Sequence, residues 1–335
     1  MHVNPTNRLN RRQALAFSAG TVASLAVPAL RAQASTGAYP DRAVKIVVPF
    51  ASGAGTDAMA RLVALKLGEV MNATFTVDNR TGASGAIGTQ YVAQAPADGY
   101  TLLLVASPFT TVAASLPSAN YDPLRQFTPV GMIASGPLVW ATNTALPAGS
   151  LQDLIALARQ KPGALNYGSA GAGGVNHLVL ELLKARTGIF ITHIPYRGVA
   201  PATMDMIGGQ IQLVTGTISA LLPFIKNGSI KPLAVTSAKR SSALPDVPSM
   251  LEAGLPGFDV VNYFALMAPA GTSPGIVSRL NAAINQVLAL PDVLTRFKSD
   301  AVEAAPGSPA KLGRFIEADY RAWRDVVKAQ NLKIE

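Results

Sequence analysis

Two glycine-rich segments of this 335-residue chain have the make-up of anion-binding turns. The first is Lys45-Ile46-Val47-Val48-Pro49-Phe50-Ala51-Ser52-Gly53-Ala54-Gly55-Thr56-Asp57. The second is Leu165-Asn166-Tyr167-Gly168-Ser169-Ala170-Gly171-Ala172-Gly173-Gly174, which runs on to His177-Leu178. In each, an apolar strand passes through glycines into a helix. Such a junction leaves main-chain N–H groups unpaired at the positive end of the helix dipole. It can hold an anion without help from Arg or Lys. Two such turns, far apart in sequence, point to one carboxylate ligand caught between two halves of the molecule. Asp57, in the first turn of a helix, would repel that ligand directly, so it reads as a residue that orients the loop or holds a bridging water.

Other chemistries fit less well. Gly53-x-Gly55-x-x-Ala58, with Asp78 at the end of the next strand, loosely matches a dinucleotide fingerprint. The alternative function is therefore an exported nucleotide-cofactor enzyme that uses Gly53-x-Gly55 as its turn. Pro49-Phe50-Ala51-Ser52 intervenes between strand and glycine, however, and would obstruct a pyrophosphate. Gly168-Ser169 and Ser84-Gly85 lack the Gly-x-Ser-x-Gly elbow of a serine hydrolase. Three histidines in the whole chain, one of them His2, argue against a metal site. His193-Ile194-Pro195 reads as a loop-fixing segment. His177, one turn into its helix, divides evenly between hydrogen bonding in a cleft and packing. There is no cysteine, which removes disulfides and thiolate chemistry from consideration.

These residues need a scaffold. Strand Val44–Phe50, helix Asp57–Met71, strand Phe75–Asn79, a glycine turn at 82–88 opening a helix to Ala95, and strand Tyr100–Ala106 have the rhythm of a parallel sheet. Strands Val130–Ala134 and Leu138–Thr142 follow. The second half repeats the rhythm: helix Leu151–Gln160, strand Asn166–Tyr167, helix Val175–Thr187, strand Ile191–Ile194, helix Ala200–Gly208, strand Ile211–Thr215, helix Leu221–Asn227 and strand Pro232–Thr236. Pro245-Asp246-Val247-Pro248 reads as an extended connector and Tyr263–Ala268 as a strand. Helices Pro274–Ala289, Asp292–Ser299 and Pro309–Ala329 close the chain.

Charged residues make up 14% of the chain and hydrophobic ones 49%, the balance of a folded globular protein, and the length favours two domains. Of the formal charge of +9, four arginines (Arg8, Arg11, Arg12, Arg31) fall in the first 34 residues, which hold no acid, and the remainder carries +5. No basic run survives there, so nucleic acid is not an expected partner. Arg11-Arg12, the mildly apolar stretch to Leu30 and Ala32-x-Ala34 together read as a twin-arginine export signal cut near Ser35. The expected mature chain is periplasmic, unanchored and monomeric.

In order along the chain come Asn79-Arg80-x-Gly82-Ala83-x-Gly85, Asp98-Gly99-Tyr100-Thr101-Leu102, Tyr167-Gly168-Ser169-x-Gly171-x-Gly173, His193-x-Pro195-Tyr196-Arg197-Gly198, Gly208-Gly209-Gln210, Leu244-Pro245-Asp246-Val247-Pro248 and Ala268-Pro269-Ala270-Gly271-Thr272. With the first glycine turn, this series resembles the substrate-binding receptors of tripartite tricarboxylate transporters, the Bug family. The resemblance implies an α/β fold of the type II periplasmic binding protein class. Two doubly wound domains, 35–136 plus 263–335 and 137–262, would be joined by two crossover segments with the ligand cleft between them.

It further implies a receptor and not an enzyme. A small organic carboxylate would be the ligand, no cofactor or metal would be needed, and transporter membrane subunits would be possible partners. Carried over by position, the ligand-binding set is Phe50, Ser52, Gly53, Gly55 and Asp57 on one side. Ser169, Gly171, Gly173, Gly174 and His177 form the other, with Asn79 and Ser107 at the mouth. The chain departs from the family pattern at Ala54, at Gly174 in place of a serine, and at Gly216 where an aspartate is common. The last departure argues against a ligand carrying an ammonium group.

Overall fold

A computed structural model describes residues 1–2, 39–332 and 334. The export signal and its cleavage point lie outside the described residues. From Val44 the chain alternates strand and helix: β1 (Val44–Val48), α1 (Gly55–Met71), β2 (Phe75–Asn79), α2 (Ala86–Ala93), β3 (Thr101–Ala106) and α3 (Pro108–Ser115). A long strand, β4 (Phe127–Asn143), leads to α4 (Leu151–Gln160), β5 (Asn166–Ser169), α5 (Val175–Thr187), β6 (Thr192–Pro195) and α6 (Val199–Ile207). Next come β7 (Leu213–Thr217), α7 (Ile218–Lys226), β8 (Ile230–Val235) and β9 (Val261–Pro269). The chain finishes with α8 (Pro274–Val287), α9 (Pro291–Ser299), β10 (Glu303–Ala304) and α10 (Pro309–Ala329).

The strands form one continuous path in the order β2-β1-β3-β9-β4-β7-β5-β6, with β8 and β10 also pairing with β4. β2, β1 and β3 run parallel, as do β6, β5 and β7. Between these groups lie the antiparallel strands β4 and β9. β4 pairs with β9 from Phe127 to Pro137, then with β7 and β8 from Leu138 to Asn143. It thus carries the chain out of the first half of the sheet into the second. β9 brings it back, entering at Val261 and pairing with β3 from Phe264 to Met267.

The single β4 replaces the two strands expected on either side of residues 135–137. Pro129 and Pro137 are tolerated because the pairing is irregular near Pro129 and changes partner after Pro137. Gly136 is needed there, since a Cβ would stand 2.7 Å from the carbonyl oxygen of Ala301. The expected extended connector at 245–248 is a series of turns, with Val247 N–H donating to the Leu244 carbonyl. α3, β10 and the first turn of α7 are elements beyond the sequence-based set.

Helix ends differ in a way that matters for the site. α4, α8 and α10 are capped by the hydroxyls of Ser150, Ser273 and Ser308, which accept from Asp153, Ile276 and Lys311 N–H. The starts of α1, α5 and α7 carry no side-chain cap, and neither do those of α2, α3, α6 and α9. α10 belongs to both halves of the core. Leu312 and Ile316 pack with Val47, Leu103 and Met267, while Trp323 and Val326 pack with Trp140, Leu178 and Leu183. Each such fully buried side chain adds roughly 1.5–3 kcal/mol of burial free energy.

Candidate functional site

The first turn is braced from below by Asp57. Its carboxylate, 2% exposed, accepts from Gly53 N–H (2.8 Å), Arg61 Nε (3.0 Å) and Asn79 Nδ2 (2.9 Å). Asn79 Nδ2 also donates to the Phe50 carbonyl at 3.0 Å, so one amide ties β2 to both ends of the loop. Burial opposes the charge on Asp57. The hydrogen bonds from Arg61, Gly53 and Asn79 outweigh it and hold the carboxyl at about 2. Asp57 therefore orients the loop, as its position in the first helical turn led us to expect.

That bracing determines which amides are left over. Gly53 N–H is spent on Asp57, and Ala54 N–H on the Ala51 carbonyl. Among the described residues, the N–H groups of Gly55, Thr56 and Asp57 at the start of α1 have no partner. Gly53 holds φ +83°, and the side-chain directions of Gly53 and Gly55 open onto empty space. Ser52 is exposed, and the ring of half-buried Phe50 packs against the turn at Gly85.

The second turn is organised by two histidines. Ser169, fully buried at the end of β5, has its Oγ 2.6 Å from His193 Nε2. The same oxygen accepts from Gly171 N–H at 3.2 Å and lies 3.0 Å from the Gly171 carbonyl oxygen. Gly173 N–H donates to His177 Nδ1 at 3.1 Å. His177 therefore supports the turn from beneath. Burial drives both imidazoles toward the neutral form, His177 to about 4 and His193 to about 3. Among the described residues the amides of Gly174, Val175 and Asn176 at the start of α5 have no hydrogen-bond partner.

The two turns belong to opposite halves of the sheet, at the C-terminal ends of β1 and β5, and no hydrogen bond joins them among the described residues. Of the positions expected at the site, Phe50, Ser52, Gly53, Gly55, Asp57 and Asn79 come together in one group. Ser169, Gly171, Gly173, Gly174 and His177 form the other. Ser107 joins neither: it is 1% exposed and its Oγ binds Asn262 Oδ1 (3.1 Å) and Tyr263 N–H (3.1 Å). It ties β3 to the returning crossover strand and does not line a mouth. The donors of Gly53 and Gly173 are likewise spent within the turns, which leaves the next amides along each chain.

A cavity of about 110 Å³ adds a third helix start. It is bounded by Gly55 of α1, Pro137 and Asn262 on the crossover strands, Thr217 at the end of β7, Ile218 and Ser219 of α7, and the paired Arg296 and Asp300. Its trace in the sequence is Gly216, where the chain departs from the family pattern. A Cβ at Gly216 would stand 2.9 Å from Val199 Cγ1, so this packing has no room for an acidic side chain there. No group of three or more potential metal ligands occurs among the described residues. No described helix is long and apolar enough to cross a membrane.

Comparison with known proteins gives a consistent result. The family described as "Tripartite tricarboxylate transporter family receptor" matches residues 59–332. Protein BugT of Bordetella pertussis is 37% identical over 313 residues, covering 93% of this chain and 96% of that protein. The structure of R. palustris Rpa4515 with adipate superposes with a TM-score of 0.78 at 39% identity, covering 88% of this chain and 99% of that one. MatC from Rhodopseudomonas palustris with bound malate gives 0.76 at 31% identity, with coverages of 86% and 100%.

Proposed function

This chain belongs to the tripartite tricarboxylate transporter receptor family, and on that premise we propose that it captures a small dicarboxylate between the two halves of its sheet. The observation that carries this reading is the pair of uncapped helix starts at α1 and α5, each following a turn braced by a side chain and each with unpaired amides. Main-chain donors at two such termini suit two carboxylate groups on one short ligand. The adipate and malate bound by its structural relatives support that class.

Capture proceeds by closure. Residues 35–136 with 263–335 form one domain, residues 137–262 the other, and β4 and β9 serve as the hinge. A ligand touching both turns stabilises the closed arrangement by the difference in its affinity for the two states. The first 34 residues direct export through a twin-arginine route and are removed. The mature receptor then delivers its ligand to transporter membrane subunits or to a sensor.

The test is a thermal-shift screen of residues 35–335, followed by calorimetry, with C4–C6 dicarboxylates, citrate, aromatic monocarboxylates, NAD and FAD. A rise in melting temperature with dicarboxylates alone is expected, since only a bound ligand stabilises the fold. Stabilisation by a dinucleotide and by no acid would restore the cofactor-enzyme alternative and overturn this reading.

A further inference from the structure

Beneath the second turn lies a carboxylate that packing does not explain. Glu181, one turn beyond His177 on α5, is 2% exposed among buried leucines of the core, Leu178, Leu180 and Leu183. Its Oε1 accepts from the Tyr167 hydroxyl at 2.9 Å and from Lys184 Nζ at 2.9 Å, and lies 3.8 Å from His177 Nε2. Its Oε2 is buried with no partner. A half-satisfied carboxylate in such a place is costly, and a leucine or glutamine would fill the space at lower cost.

The histidine supplies the missing reason. Gly173 N–H donates into His177 Nδ1, so that nitrogen must be bare. A neutral imidazole with a bare Nδ1 carries its proton on Nε2. The Nε2 edge is the one that faces Glu181. A negative charge at that edge favours the tautomer the turn requires, and the opposite tautomer would set an Nδ1–H against the Gly173 N–H. We propose that Glu181 is a positioning residue for ligand capture: it holds the proton of His177 on Nε2, so that Nδ1 fixes Gly173 and leaves the amides of Gly174, Val175 and Asn176 for a carboxylate. The inference rests on the receptor reading for the ligand, but the tautomer itself does not. Lys184 Nζ pairs with the same Oε1, and the Tyr167 hydroxyl fixes the rotamer of the carboxylate.

The experiment uses the Glu181→Gln variant of residues 35–335, which keeps shape and hydrogen bonding while removing charge. Nitrogen-15 NMR of the ligand-free protein at neutral pH reads the His177 tautomer, and calorimetry with adipate reads capture. Wild type should show Nε2–H alone. Glu181→Gln should show a mixture of tautomers and an adipate Kd about tenfold weaker, the factor set by one hydrogen bond of ordinary strength.

The His177→Asn variant offers an amide oxygen near the Nδ1 position, which accepts whatever the charge at residue 181. In that background Glu181→Gln should weaken adipate no further. A pure Nε2–H tautomer in Glu181→Gln, or equal loss in both backgrounds, would overturn the proposal. If wild type binds no carboxylate, the receptor reading falls and the tautomer measurement alone judges this one.

Discussion

The imidazole rings of His177 and His193 lie face to face, their centroids 3.9 Å apart and their planes 9° from parallel. Tyr167 continues the stack at 4.7 Å from His193. A charge on either ring would press against its neighbour directly beneath the second turn. Burial lowers His177 to about 4, with Lys184 adding to the effect; burial and then His177 lower His193 to about 3. Both groups therefore bind fewer protons when folded than when unfolded across the interval below their ordinary 6.5. Their contribution to stability is complete above that value and is lost as pH falls toward 4 and 3. Melting temperature should decline from pH 7 to pH 4.5. His193→Phe, which keeps a ring in the stack without a titrating group, should flatten the decline in a pH series by scanning fluorimetry.

Asp319 works in the opposite sense over the same interval. It accepts from Thr110 Oγ1 at 2.6 Å and Trp323 Nε1 at 3.0 Å, joining α10 to α3. Burial raises its carboxyl to about 6 despite those hydrogen bonds. The folded state thus holds this proton more tightly than the unfolded one. The contribution is complete below the ordinary 3.8 and is lost as pH rises through 6. Asp319→Asn should raise the melting temperature at pH 7 relative to wild type, and the gain should vanish by pH 4. A constant offset across that range would show that Asp319 does not titrate as its burial requires.

The two glycine turns were more legible in the sequence than the bonds that brace them. α4, α5 and α10 follow from apolar spacing with the bounds expected, because local propensity and tertiary burial agree there. The role of Asp57 followed from the repulsion an acid would exert on an anion. The bonds of Gly53 to Asp57 and of Gly173 to His177 did not, since nothing local tells a free amide from one held by a side chain four residues on. Ser107 was misplaced because its partners, Asn262 and Tyr263, are more than 150 residues away. The continuity of β4 was hidden by Gly136-Pro137, which reads as a break until the change of pairing partner is known.

Gly53 and Gly173 separate conformational cost from steric cost. Both have positive φ, +83° and +77°. A Cβ on Gly53 meets nothing within 4 Å, whereas one on Gly173 would stand 2.8 Å from Ser115 Oγ and 3.1 Å from Leu116 Cδ1. Gly53→Ala should cost about 1–2 kcal/mol, the penalty for a left-handed residue. Gly173→Ala should cost more in stability and in adipate affinity, because the turn must also move off the end of α3. Urea melts of the two variants with matched slopes check the order, and equal losses would contradict it.

Asp57→Asn places an amide group among the donors Gly53 N–H, Arg61 Nε and Asn79 Nδ2, so at least one of them loses its acceptor. A cost of about 1–3 kcal/mol in stability is expected, of which some appears as weaker binding through a loosened loop. Because Asp57 faces its braces and not the ligand, preference for anions should survive. Calorimetry with adipate and with 1,4-diaminobutane decides this. Tighter adipate binding by the variant would mean that the wild-type charge had faced the ligand.

Ligand discrimination should follow from Gly216. The end of β7 meets the cavity between α1 and α7, and Val199 and Leu221 leave no room for a side chain at that glycine. An amino dicarboxylate would bring its ammonium toward helix starts whose free N–H groups carry positive partial charge. No carboxylate lies at residues 215–219 to offset it, and Asp300, which also lines the cavity, is engaged by Arg296 Nε at 2.8 Å. Burying that cation without a partner costs more than the extra contacts return. Succinate should therefore bind about tenfold or more tightly than aspartate, a gap of at least 1.4 kcal/mol. Competition calorimetry on residues 35–335 measures the ratio. A preference for aspartate would mean that Asp300 leaves Arg296 to meet the ammonium.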